Sequence, residues 1–161
     1  MNIKSVIATL PQIGHLQWIG IRPDKGAVQS LTSTKVSEED GIEGDHYSKK
    51  GGKRQVTLIQ AEHLTAVGNM LGKTDSIDPT LTRRNLVISG INLLAFKNRQ
   101  FQIGKEVILE MTGLCHPCTK MERNLGAGGY NAMRGHGGIT AKVIQGGIIE
   151  VGDQVKLIED K

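Results

Sequence analysis

A chain of 161 residues, 38% hydrophobic and 22% charged, has room for one domain with a single core and is too ordinary in composition to be a disordered segment. Aromatic residues make up only 3%, which excludes a platform of exposed rings for single-stranded nucleic acid and leaves the core to Val, Ile and Leu. The net charge of +4 is scattered rather than gathered into one stripe, so the sequence predicts no nucleic-acid partner; a mildly basic surface or a pocket for an anionic ligand fits better.

Residues 5–10 read as a short β-type run. Residues 15–21 alternate loosely, with Leu16 and Trp18 on one face and Ile19 and Ile21 on the other, until Pro23 ends the run. Residues 28–36, rich in Ser and Thr, read as an exposed strand, and residues 38–45 as an acidic loop with glycines at 41 and 44. Residues 55–59 predict a buried strand that feeds a helix over 61–71. Leu64, Val67 and Leu71 recur there at helical spacing, and Gly72 stops the helix. Residues 86–88, 100–103 and 106–111 predict three more strands. After Cys118, Met121 and Leu125 stand four apart and predict a short helix whose start lies at the cysteine. Residues 131–134 predict a further helical turn. Two strands, 139–144 and 154–158, close the chain, joined by residues 146–152.

The 21 glycines are nearly twice the usual share of about 7%, and four adjacent pairs of them suit tight turns between short strands. Many short strands, many glycine turns and one clear helix predict a closed or nearly closed β-barrel with a few peripheral helices, one domain over residues 1–161. A βαβ nucleotide fold is disfavoured, because no G-x-G-x-x-G follows a strand and opens a helix. Residues 1–10 hold one lysine and too short an apolar run for a secretion signal. No apolar run approaches the roughly 20 residues that span a membrane. Two cysteines three positions apart are no secreted framework, so a cytoplasmic protein without a membrane partner is expected.

Cys115-His116-Pro117-Cys118 carries the strongest chemical signal. A thiolate is a good nucleophile and a soft metal ligand, and a position at a helix start with Lys120 and Arg123 nearby favours that thiolate. The bland reading is two small buried residues. Structural zinc would need more ligands, from His116, His46 or His136. A thiol–disulfide pair is open as well, although βαβ framing is missing. Arg83, Arg84 and Asn85 precede a buried strand, as do Arg54 and Gln55; they read either as a phosphate grip or as surface charge. The loop Gly135-His136-Gly137-Gly138 after Arg134 reads as an anion-binding nest or a plain turn. Asp45 and His46 read as an acid–base pair, or as a turn cap beside a solvated histidine.

Taken in order, GIEGDHY (41–47), RQVTLIQAEHL (54–64), RRNLVISGI (83–91), FQIGKEVILEMTGLCHPC (101–118) and GGIIEVGDQVKL (146–157) resemble the MOSC family, named for the C-terminal domain of molybdenum-cofactor sulfurase. The resemblance implies a β-barrel of the pyruvate-kinase barrel type that binds a molybdenum cofactor (molybdopterin) and, by the family's customary description, pyridoxal phosphate. It implies either a sulfur carrier in cofactor maturation or a small molybdenum-dependent oxidoreductase. Cys118 matches the family cysteine, as metal ligand or persulfide carrier. Arg83 and Asn85 match the Arg-x-Asn that contacts the cofactor, with Arg84 where some members have proline. Arg54 is expected to help bind the anionic tail, and Arg134 and His136 to line the rim. The family's larger reductases add an N-terminal barrel, so a chain of this size is expected to receive, hand over or sense the cofactor. A cofactor-delivering or electron-donor protein is the expected partner. A non-catalytic cofactor- or phosphate-binding module and a C-x-x-C thiol–disulfide protein stay open beside that reading.

Overall fold

The computed structural model describes residues 1–47 and 49–159, and at Lys25 the backbone alone. Seven strands pair edge to edge: β11 (Gln154–Leu157), β7 (Gln100–Ile103), β8 (Val107–Leu114), β9 (Ile139–Gln145), β5 (Val56–Gln60), β6 (Leu86–Ser89) and β1 (Gly14–Ile21). β1 then meets β11 through Gly14↔Val155 and His15↔Gln154, which closes the barrel. The ring is mixed: β5 and β6 run parallel, joined through the helix α2 (Ala61–Met70), and the other pairings are antiparallel. β2 (Gln29–Leu31) lies on β1 outside the ring. β10 (Gly147–Glu150), β3 (Ser33–Ser37) and β4 (Gly41–Ile42) form a small second sheet.

Strand alternation divides the apolar residues between two cores. Val56 and Leu58 of β5 and Leu86 and Ile88 of β6 join the cluster that fills the barrel, where Phe96 and Phe101 stack with ring centroids 4.3 Å apart. Ile59 and Val87 point the other way, against Leu64 and Val67 of α2 and Met121, Leu125 and Met133 from α3 (Thr119–Leu125) and α4 (Gly129–Met133). The helices therefore cover one outer wall of the barrel. Among the described residues no helix is long and apolar enough to cross a membrane.

Four local expectations are corrected. Residues 5–10 are not a strand: Ile3–Ala8 form the helix α1, capped by the Asn2 side chain accepting from the Ser5 amide at 2.9 Å, with no buried residue to tie it to a sheet. The two faces assigned to β1 do not hold, because a bulge between Leu16 and Trp18 shifts the register. Leu16, Ile19 and Ile21 all enter the barrel while Trp18 packs outside. The strand expected over 28–36 is two strands broken at Thr32, and the connection over 146–152 contains β10. The unit β5–α2–β6 is a parallel βαβ crossover, and it lies in a closed barrel rather than an open nucleotide-binding sheet, in keeping with the expected fold.

Candidate functional site

The chain leaving β1, the chain leaving β8 and the segments entering β5 and β6 converge on one cleft of about 250 Å³. Cys115 and Cys118 reach it from the end of β8, Arg54 from before β5, and Arg83, Arg84 and Asn85 from before β6. The two thiols differ. Cys118 is exposed at the N-cap of α3 and its side chain makes no capping hydrogen bond, whereas Cys115 is 2% exposed. Arg54 Nη2 donates toward the Cys115 sulfur over 3.9 Å. Pro117 disfavours helical backbone at the residue before it, and Cys118 itself is extended, so the helix starts only after the cysteine loop.

Arg84 is a buried clamp. Its Nε donates to the Gly137 carbonyl at 2.8 Å, Nη1 to Thr82 at 2.9 Å, and Nη2 to Cys115 and His116 at 3.2 and 3.4 Å. These bonds join the approach to β6, the cysteine loop and the Gly137–Gly138 turn. Burial pushes the Arg84 guanidinium below its ordinary value; Cys115 and Cys118 oppose that, while Arg54 and Arg83 add to it. Asn85 is a second strut. Its Oδ1 accepts from the Thr57 amide at 3.0 Å, and its Nδ2 donates to the Gly20 carbonyl at 3.1 Å and to Asp45 Oδ2 at 3.3 Å. Both side chains border the cleft with their polar groups already committed to the protein.

Arg83 is the opposite case. Its φ of 63° is left-handed, a conformation costing about 1–2 kcal/mol for a residue with a β-carbon. Its side chain lines the cleft and makes no hydrogen bond or ion pair among the described residues. Arg22 lies in the same cleft. Burial lowers its pKa, and the neighbouring Arg83 lowers it further, with Asp45 opposing.

Cys118, Arg54, Arg83, Arg84 and Asn85 are thus brought together, and Arg134 and His136 are not. Arg134 is exposed past the end of α4, with Nη1 3.4 Å from Asn131 Oδ1. His136 bonds the Ala132 carbonyl through Nδ1 at 3.1 Å and meets His63 edge-on, ring centroids 5.0 Å apart. The glycine loop is no anion nest at this cleft: Gly137 gives its carbonyl to Arg84, and a β-carbon at Gly137 would stand 2.1 Å from the Cys115 carbonyl oxygen.

Sequence reasoning passed over Arg22, whose only signal is a cation directly after a strand, as Arg54 and Arg83 are cations shortly before one. Asp45 is a strut rather than an acid: Oδ1 accepts from the Arg22 amide at 2.8 Å, and His46 Nδ1 stands 3.7 Å from it, bonding the Arg22 carbonyl at 3.1 Å instead. Among the described residues no group of three or more His, Cys, Asp and Glu is placed to hold a bare metal ion. The cleft offers one exposed thiol beside cations, which suits an anionic ligand carrying a soft or electrophilic centre.

The family model of the MOSC domain matches residues 32–156. The fold is similar to the YuaD protein from Bacillus subtilis, with a TM-score of 0.78 and 16% identity over 95% of this chain and 100% of that one. It is also similar to YiiM from Escherichia coli (TM-score 0.68, 17% identity, 91% of this chain and 71% of that one). YiiM from Geobacillus stearothermophilus gives 0.67 and 14%, over 91% and 75%. At these identities the likeness concerns the fold alone. No curated protein matches the chain by sequence.

Proposed function

The chain belongs to the MOSC domain family, and from that premise we propose that its cleft binds a molybdenum cofactor of the molybdopterin type, with Cys118 as the protein's ligand or sulfur carrier. The observation that carries the reading is one cleft holding both an exposed thiol, Cys118, and a guanidinium without a partner among the described residues, Arg83. The donor set fits the group. A metal that arrives in its own organic ligand needs few protein donors, and a thiolate is a soft one. A phosphate tail is matched by the planar fork of arginine, and Arg83, Arg54 and Arg22 line the cleft. Arg84 and Asn85 act by holding the cysteine loop and the strand ends in place rather than by touching the ligand.

When bound, such a group supplies oxygen-atom or sulfur-transfer chemistry. The chain's own part is to present Cys118 on a loop fixed by Arg84, and to neutralise the ligand's charge with guanidinium groups. As a reductase component the protein takes electrons from a separate donor protein. As a carrier, the Cys118 thiolate would attack the outer sulfur of a donor protein's persulfide, releasing the donor thiolate, and would pass that sulfur on in the same way and return to the thiolate. Pyridoxal phosphate is outside this reading, since its enzymes hold it through a lysine Schiff base and the described cleft lining contains no lysine.

The test is elemental analysis and non-reducing intact mass of protein from a cofactor-competent cell. Molybdenum near one per chain that disappears in Cys118→Ser, or a Cys118-dependent gain of one sulfur, supports the proposal. Molybdenum and sulfur content unchanged by Cys118→Ser overturns it.

A further inference from the structure

Beside the cleft lies a second depression of about 330 Å³, and the two share Arg22, Val28 and Arg83. Its outer wall is α3, where Lys120 and Arg123 stand three apart and so project from one face. The turn Pro79–Leu81 adds Thr80 to the lining, and Asn124 Nδ2 donates to the Leu81 carbonyl at 2.9 Å, which fixes α3 against that turn. Four cations therefore surround one open groove that continues into the thiol cleft.

Cations on a surface are ordinarily balanced by nearby carboxylates, and around Lys120 and Arg123 the carboxylates are engaged elsewhere. Glu122, between Lys120 and Arg123 in sequence, accepts from the amides of Gly128 at 2.5 Å and Tyr130 at 3.1 Å, at the start of α4. Asp78 turns back on Thr80, accepting from its amide and its hydroxyl at 2.9 Å each. Asp45 is held by the Arg22 amide and Asn85, and its charge acts on Arg22 rather than on Lys120 or Arg123. No carboxylate lines the groove among the described residues, and Lys120 and Arg123 have no ion pair there. The Arg22 pKa is lowered first by burial and then by the like charge of Arg83, with Asp45 opposing, which agrees with the crowding of cations there. The left-handed backbone at Arg83 sets its guanidinium at the junction of both depressions.

We propose that this groove is a second phosphate subsite, distinct from the one that holds the cofactor, and that it takes the phosphoryl group of a phosphorylated substrate whose reacting end lies at Cys118. Lys120 is two residues from Cys118, and the shared lining of Arg22, Val28 and Arg83 makes the two depressions continuous for one ligand. The substrate assignment rests on the cofactor reading of the cleft; the phosphate binding does not.

The test titrates the purified full chain at low salt with adenosine 5′-monophosphate, adenosine and inorganic phosphate. The variants are Lys120→Ala with Arg123→Ala, and the charge-conserving Lys120→Arg. Calorimetry reads affinity, and circular dichroism confirms the fold. The expected result is adenosine monophosphate binding at least tenfold tighter than adenosine or phosphate, a tenfold or greater loss in the double variant, and retention in Lys120→Arg. Equal binding of adenosine and its monophosphate, or an unchanged double variant, overturns the subsite. Inorganic phosphate binding as tightly as the monophosphate overturns the substrate assignment. Molybdenum content separates the two proposals. It stays at the wild-type level in the double variant if the subsite is distinct, and its loss there together with the nucleotide would return the groove to the cofactor. Failure of the Cys118→Ser loading test leaves the phosphate result standing.

Discussion

Arg84 donates through Nη2 to the backbone carbonyl of Cys115 across 3.2 Å, so a buried cation fixes the first half of the C-x-x-C loop. The same side chain holds Gly137 and Thr82, and no neutral or linear side chain reproduces that fork. Arg84→Ala strands several buried carbonyls, each lost bond to a charged donor being worth about 1.5–3 kcal/mol, with incomplete additivity. We expect a loss of about 3 kcal/mol or more by urea denaturation. Arg84→Lys keeps the charge but not the fork and should recover less than half of it. Full recovery by lysine would show that Arg84 acts through charge alone.

The reach of that clamp explains what the sequence made legible. The strand 56–60, the helix after it and its stop at Gly72 were readable because their signals are local: apolar spacing, and a glycine with φ 75° at the end. The junction of Cys118 with α3 was readable for the same reason. The role of Arg84 was not, because its partners Cys115 and Gly137 are 31 and 53 residues away and are backbone carbonyls, which leave no trace in residue identity. His136 was misplaced because a polar residue in a glycine loop does not reveal which way the loop faces; here it faces His63 on the helical side. The bulge in β1 reverses alternation by one residue, and only pairing with β6 exposes it.

The turn that receives Arg84 tolerates no side chain at its second glycine. Gly138 has φ 85°, and a β-carbon there would lie 1.9 Å from the Leu58 carbonyl oxygen. Overpacking and left-handed strain together predict that Gly138→Ala costs about 3 kcal/mol. For a chain of this size that is a fall in Tm of roughly 6–12 °C by calorimetry. Gly135→Ala, also at positive φ but with open space around its β-carbon, should cost clearly less. Equal losses would mean that backbone strain alone governs this loop.

Exposure separates the two cysteines in a way that labelling detects. Cys118 is exposed and Cys115 is 2% exposed beneath Arg54 and Arg84. Iodoacetamide should modify one thiol per native chain, located at Cys118 by peptide mapping, and both thiols only in denaturant. Cys118→Ser should leave the native protein unlabelled. Rapid native labelling of Cys115 would show that the loop opens. That outcome would favour a disulfide-exchanging pair over a fixed ligand.

The burial of His63 beside His136 makes a small acid-dependent contribution to stability. Burial lowers the His63 pKa below the usual histidine value, His136 lowers it further, and Glu62 opposes both. The unfolded chain then binds a proton at a pH where folded His63 does not, so stability rises with pH across that window. Stability is fully present above the ordinary histidine value near 6.5 and declines as pH falls toward the lower folded value, where the loss levels off. His63→Gln removes this titration. Thermal melts from pH 7.5 to 5 should therefore show a smaller drop in Tm for His63→Gln than for the wild type. The effect should be small, because the imidazole is only half-buried and water screens it. Parallel Tm profiles for the two proteins would place the acid sensitivity at other groups.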